Sequence, residues 1–155
     1  MKNRKRNGAI SFEDAVKKTP DIQNCYQRGL RALGQHSARI QLSHPSQCNG
    51  SVDIDSCVRA NYPQENRWDY AFAYESEVFF VEVHSANTSE VRTVLRKLQW
   101  LKDWLNLHAP LINRMQAKGI PYYWISSNGY HILKSSSQHR EIIGSGLKPI
   151  SAVKL

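Results

Sequence analysis

With 155 residues, 41% of them apolar and 22% charged, the chain has the size and composition of one folded domain and is too apolar to be disordered. Its formal charge of +8 favours an anionic partner such as nucleic acid, and no apolar run approaches the ~20 residues that cross a bilayer. The cysteines are three, an odd number, and no hydrophobic segment follows the charged N-terminus. Neither a disulfide framework nor a secretory signal is therefore expected, and the expected setting is reducing and cytoplasmic.

Lys2, Arg4, Lys5 and Arg6 make residues 1–10 a basic arm, expected to be disordered, ahead of a single domain over residues 11–155. Ser11 with Asp14 three positions on predicts a short helix over 11–18. Thr19-Pro20-Asp21 predicts a second start, with Thr19 as cap and Pro20 in the first turn. Ile22, Cys25, Tyr26, Leu30 and Leu33 then recur at helical spacing as far as Gly34. Residues 35–50 are polar and read as a loop, with a short strand at 38–42. Val52 to Val58 alternates and reads as a strand with Asp53 and Asp55 on its polar side. Trp68 to Tyr74 alternates as well, and Val78 to Val83 is almost continuously apolar, as in a strand covered on both faces. Thr88 and Glu90 begin a helix whose stripe is Val91, Val94, Leu95, Leu98, Leu101 and Leu105, interrupted by Pro110. Asn128-Gly129 between two apolar runs predicts a hairpin, and Ile150 to Val153 a last strand. The order is helix, three strands, helix, two strands. It describes an α/β (α+β) domain with a central mixed sheet flanked by helices.

Chemistry concentrates in the two middle strands. A two-residue turn at Glu75-Ser76 sets Asp69 across from Glu82; a turn at Ser76-Glu77 sets it across from His84. Either register gathers Asp69, Glu82 and His84 on one face, because opposed residues share a face and strand side chains alternate. A three-residue turn splits them. Two carboxylates suit Mg²⁺ or Mn²⁺, and a cation so held activates water and neutralises charge on a phosphodiester. The plainer alternative is a Glu82 at the sheet rim, paired with Arg67 or Arg92. Arg92, Arg96 and Lys97 form a basic helix flank that suits a phosphate backbone. His36, His44, Cys48 and Cys57 match structural zinc spacing poorly. Tyr122, Tyr123 and Trp124 read either as packing or as a base-stacking platform. Trp100 and Trp104 read as core or as a dimer contact.

An acidic residue, twelve intervening residues, then Glu82-Val83-His84 resembles the PD-(D/E)xK nuclease superfamily over about Thr19 to Ser126. The resemblance implies a restriction-endonuclease-like αβββαβ core and a metal-dependent endonuclease acting on DNA, or on RNA. It implies Asp69 and Glu82 as metal ligands joined by the Val83 carbonyl, a homodimer, and Gln99 as a substrate contact. His84 stands where that family carries lysine and Trp68 where it carries proline. For its helical acid only Glu13, Asp14 and Asp21 are available. Two other readings stand beside it. One is a catalytically inert relative that binds nucleic acid or a protein. The other is a metal-free ribonuclease using His84 and His131 as base and acid.

Overall fold

The computed structural model describes residues 9–155; the expected basic arm lies outside the described residues up to residue 8. Helix α1 (Phe12–Lys17) starts where the sequence places it, the Ser11 hydroxyl accepting from the Asp14 amide at 3.1 Å. The helix expected from Thr19 to Gly34 does not form. Pro20–Ile22 and Arg31–Arg39 are 3-10 segments, the second broken at Gly34, and Thr19 donates its hydroxyl back to the Ala15 carbonyl instead of capping. Tertiary partners take the backbone in between: Gln27 forms an antiparallel bridge with Ser51, and Cys25 is joined to Cys57 as a disulfide. That bond overturns the expectation of unpaired cysteines; the odd one, Cys48, is free.

Strand β1 (Ile40–Gln41) is followed by β2 (Cys48–Asp53), which ends earlier than alternation suggests. Asp53 caps helix α2 (Ile54–Val58) by accepting from the Ser56 amide and hydroxyl, so an Asp-x-x-Ser cap overrides the β pattern. β3 (Tyr70–Tyr74) and β4 (Glu77–Ala86) form a hairpin, and helix α3 (Val91–His108) follows through a 3-10 turn at Thr88–Glu90. Helix α4 (Pro110–Asn113) leads to β5 (Tyr122–Tyr130), then helix α5 (Ser137–Gly144), β6 (Leu147–Ile150) and β7 (Val153–Lys154). The hairpin expected at Asn128-Gly129 is absent. β5 continues past it parallel to β4: its pairing with β6 ends at Ile125, and Asn128-Gly129 lies in a register shift of the β4 ladder between Ser126, opposite His84, and Tyr130, opposite Ala86.

The result is a single α+β domain around a five-stranded mixed sheet in the order β2-β3-β4-β5-β6. β2, β3 and β4 are antiparallel neighbours, and β1 pairs separately with β7. On one face Ala71, Phe80 and Trp124 pack beneath α1, α3, α4 and α5. On the other Phe72, Val81 and Ile125 pack against Leu33, Ile40 and Val153. Tyr122, Tyr123 and Trp124 are all buried in these two layers, so the aromatic strand is packing and not a stacking platform. Trp104 is buried and stacks on half-buried Trp100. No helix of the described residues is long and apolar enough to cross a membrane.

Gly50 shows how closely the segment after α1 is seated. It has φ +126°, and a Cβ there would run into the Tyr26 ring, whose hydroxyl donates to the Asn49 carbonyl at 3.0 Å. Gly50→Ala is expected to cost about 1–3 kcal/mol. A urea titration checks this through a lowered midpoint at unchanged slope.

Candidate functional site

The β3–β4 hairpin decides the register. Glu75 and Ser76 both have positive φ, 49° and 67°, the pattern of a two-residue type I′ turn, and the Ser76 amide is held by the Asn49 side chain. Tyr74 then pairs with Glu77 and Tyr70 with Val81, so Asp69 stands across from Glu82. Asp69 shares its phase with Ala71 and Ala73, and Glu82 and His84 share theirs with Val78 and Phe80. All of these apolar residues belong to the layer beneath α3. The face that carries the carboxylates is therefore the covered one.

Asp69 and Glu82 hold each other in place through the backbone. The Asp69 amide donates to Glu82 Oε2 at 3.1 Å, and the Val83 amide donates to Asp69 Oδ2 at 3.0 Å. The Asp69 carbonyl accepts from the Ile54 and Asp55 amides at the start of α2, which pins the end of β3. The Glu82 side chain is 0% exposed and that of Asp69 is 19% exposed.

The cation that compensates them is Lys97. Its ammonium contacts Glu82 Oε1 and lies 3.4 Å from Asp69 Oδ1, with the side chain 14% exposed. Neither Arg67 nor Arg92 takes this place: Arg67 pairs with Asp55 at 2.8 Å, and Arg92 is exposed. Burial pushes the Glu82 carboxyl well above its ordinary value, the nearby Asp69 charge adds to this, and Lys97 opposes it. Burial pulls Lys97 down, but the Glu82 and Asp69 charges outweigh it and leave the ammonium raised. Helical phase marks Lys97 as inward. It lies three positions after Val94 and four before Leu101, both fully buried, so it interrupts the apolar stripe from within it. The basic flank inferred from sequence therefore divides: Lys97 enters the site, while Arg92 and Arg96 remain exposed.

His84 sits beside Glu82, its Nδ1 3.7 Å from Glu82 Oε1 and its Nε2 2.7 Å from Glu90 Oε2. Glu90, read from sequence only as a first-turn acid, is thereby part of the same cluster. The other candidates stand elsewhere. Gln99 is exposed and donates to Asp103. Asp53 caps α2, and Asp55 pairs with Arg59 and Arg67. Glu13 pairs with Lys17, and Asp21 accepts from Tyr62 and Trp104. His131 bonds the Asn128 carbonyl three residues back in β5, and Cys57 is committed to its disulfide, which removes it from any zinc set.

As a metal site the Asp69–Glu82 pair offers two carboxylates and no closed cage. Among the described residues no group of three or more His, Cys, Asp or Glu side chains is arranged to share an ion. Two carboxylates suit Mg²⁺, which retains several waters and is commonly held by one or two such groups together with substrate phosphates. The Lys97 ammonium already bridges them, so an incoming divalent cation must displace it or share its carboxylates. No family model, no curated protein and no solved structure matches the chain.

Proposed function

We propose that this chain is a metal-dependent nuclease that hydrolyses phosphodiester bonds of DNA, with RNA as the alternative substrate. The observation that carries the reading is the convergence of Lys97 from α3 on the Asp69–Glu82 pair. The PD-(D/E)xK resemblance lacks its lysine at His84, and Lys97 brings an ammonium to the same carboxylates from the following helix. The order α1, β2, β3, β4, α3, β5 supports a restriction-endonuclease-like core. Asp69 and Glu82 would hold Mg²⁺ or Mn²⁺, with the Val83 carbonyl beside them. Such an ion neutralises charge at a phosphodiester and acidifies water. Lys97 orients the carboxylates and contributes positive charge toward a bound phosphate. His84 accepts a proton. Arg92 and Arg96 line a cleft of about 570 Å³ with Thr88, Ser89, Gln138 and Glu141, beside the Glu90 turn, and their guanidinium groups would contact a phosphate backbone laid there.

The same ion pair supports a second reading. If Lys97 permanently neutralises the carboxylates, the domain is an inert relative that binds nucleic acid or a protein partner. Mn²⁺ titration calorimetry on the wild type, Asp69→Ala and Glu82→Ala, each verified as folded, separates the two. The nuclease reading expects binding by the wild type, loss in both variants, and Mg²⁺-dependent nicking of plasmid DNA by the wild type alone. A wild type that binds no Mn²⁺ either alone or with a DNA duplex present, and cuts nothing, sinks it.

A further inference from the structure

We infer that Glu90 is a positioning residue that locks His84 in one tautomer, with the bare Nδ1 turned toward the carboxylate pair. The inference rests on the nuclease reading for its catalytic use, though not for its geometry. A carboxylate accepts hydrogen bonds and does not donate them, so the 2.7 Å contact between Glu90 Oε2 and His84 Nε2 requires the proton on Nε2. In the neutral ring Nδ1 then carries a lone pair. It faces Glu82 Oε1 at 3.7 Å, too far for a direct hydrogen bond, and so remains free to accept one from water.

The fold holds this arrangement from both sides. The His84 carbonyl accepts from the Trp124 indole at 3.0 Å, which fixes the strand beneath the ring. Glu90 is returned over His84 by the 3-10 turn that follows β4, closed by the Glu90 amide on the Asn87 carbonyl at 2.9 Å. Glu90 stands at the N-cap of α3 and Lys97 in its second turn, and both meet β4, Glu90 at His84 and Lys97 at Glu82. One end of α3 therefore supplies the carboxylate that orients the imidazole, and its second turn the ammonium that meets the acids. Glu90 is 34% exposed and His84 26%, which leaves both reachable by water.

In the hydrolytic step the water oxygen forms the new P–O bond and its proton passes to His84 Nδ1. The resulting imidazolium keeps its Nε2–H on Glu90, whose charge offsets it. The leaving sugar oxygen departs with the electron pair of the broken P–O bond and takes a proton from solvent, to which His84 later returns its own.

The test is ¹⁵N-resolved NMR of the His84 ring in metal-free, substrate-free protein, with His84→Gln assigning the signal. The wild type is expected to show the Nε2–H tautomer. Glu90→Ala is expected to give a mixed population, and Glu90→Gln, whose side-chain oxygen still accepts, to retain the wild-type form. In plasmid nicking, Glu90→Ala is expected to lower kcat about 10–100-fold at little changed KM, with partial recovery in Glu90→Gln. An Nδ1–H tautomer in the wild type, or an unchanged tautomer in folded Glu90→Ala, overturns the inference and leaves the nuclease reading standing. A wild type that cuts nothing overturns that reading and the catalytic use of His84. The tautomer, measured without substrate, still decides whether Glu90 positions the ring.

Discussion

Replacing Lys97 with methionine is expected to lower the stability of the fold by about 3–5 kcal/mol at neutral pH, because it leaves a buried carboxylate without its cation. Glu82 is fully buried and Asp69 lies against it, so the variant must keep two uncompensated acids together or protonate one. The pH dependence has a definite sign. Glu82 already titrates well above its ordinary value of 4.5 through burial and Asp69, and removing Lys97 removes what opposes that rise. For a carboxyl raised in the folded state, stabilisation is present below the unfolded-state value and lost as pH rises through the folded-state value. The deficit of Lys97→Met relative to the wild type is therefore smallest in acid and grows towards neutral pH. Wild-type Lys97 behaves oppositely to a lysine neutralised by burial. Its pKa is raised, so its contribution persists below the ordinary 10.5 and is lost only above it.

The same variant separates a metal site from a structural ion pair. If Asp69 and Glu82 accept a divalent cation, Mn²⁺ takes the vacated place and restores stability. The gain is about 2.7 kcal/mol at a hundredfold excess over Kd. Urea denaturation across pH, with and without Mn²⁺, measures both effects. A pH-dependent deficit that Mn²⁺ leaves untouched identifies an ion pair that serves the fold alone.

Cutting the Cys25–Cys57 link is expected to cost about 3–4 kcal/mol, from the entropy of an unfolded chain no longer closed across 32 residues. The double replacement Cys25→Ser/Cys57→Ser avoids leaving a new free thiol and should match reduction of the wild type by dithiothreitol. Thiol titration of the denatured protein should find Cys48 alone before reduction, and all three cysteines after it. The loss also reaches the site. The bond anchors α2, whose first amides hold the Asp69 carbonyl, so Mn²⁺ affinity is expected to fall with stability. Unchanged denaturation midpoints after reduction would show that the link contributes nothing to the fold.

What local sequence determined is the middle of the molecule. Alternation from Tyr70 to Tyr74, the apolar run into Glu82 and a two-residue turn, at Glu75-Ser76 or Ser76-Glu77, suffice to put Asp69 on one face with Glu82 and His84, because strand periodicity is a property of neighbouring residues. The structure selects Glu75-Ser76, held by Asn49, and so sets Asp69 across from Glu82. The start of α1 and the stripe of α3 were legible for the same reason. Tertiary structure decided the remainder. The helical spacing after Thr19 lost to a bridge with β2 and a disulfide, and Asn128-Gly129 became a register shift in a strand that returns to its parallel partner β4 at Tyr130. Lys97 carried a signal in its phase along α3, but nothing adjacent in the chain identified the acids it would meet. Glu90 likewise became a partner of His84 only when the chain turned back over the end of β4. Periodicity states which way a side chain points; only the packed layers state what it points at, since the energy of a buried charge depends on the partners that exclude water from it.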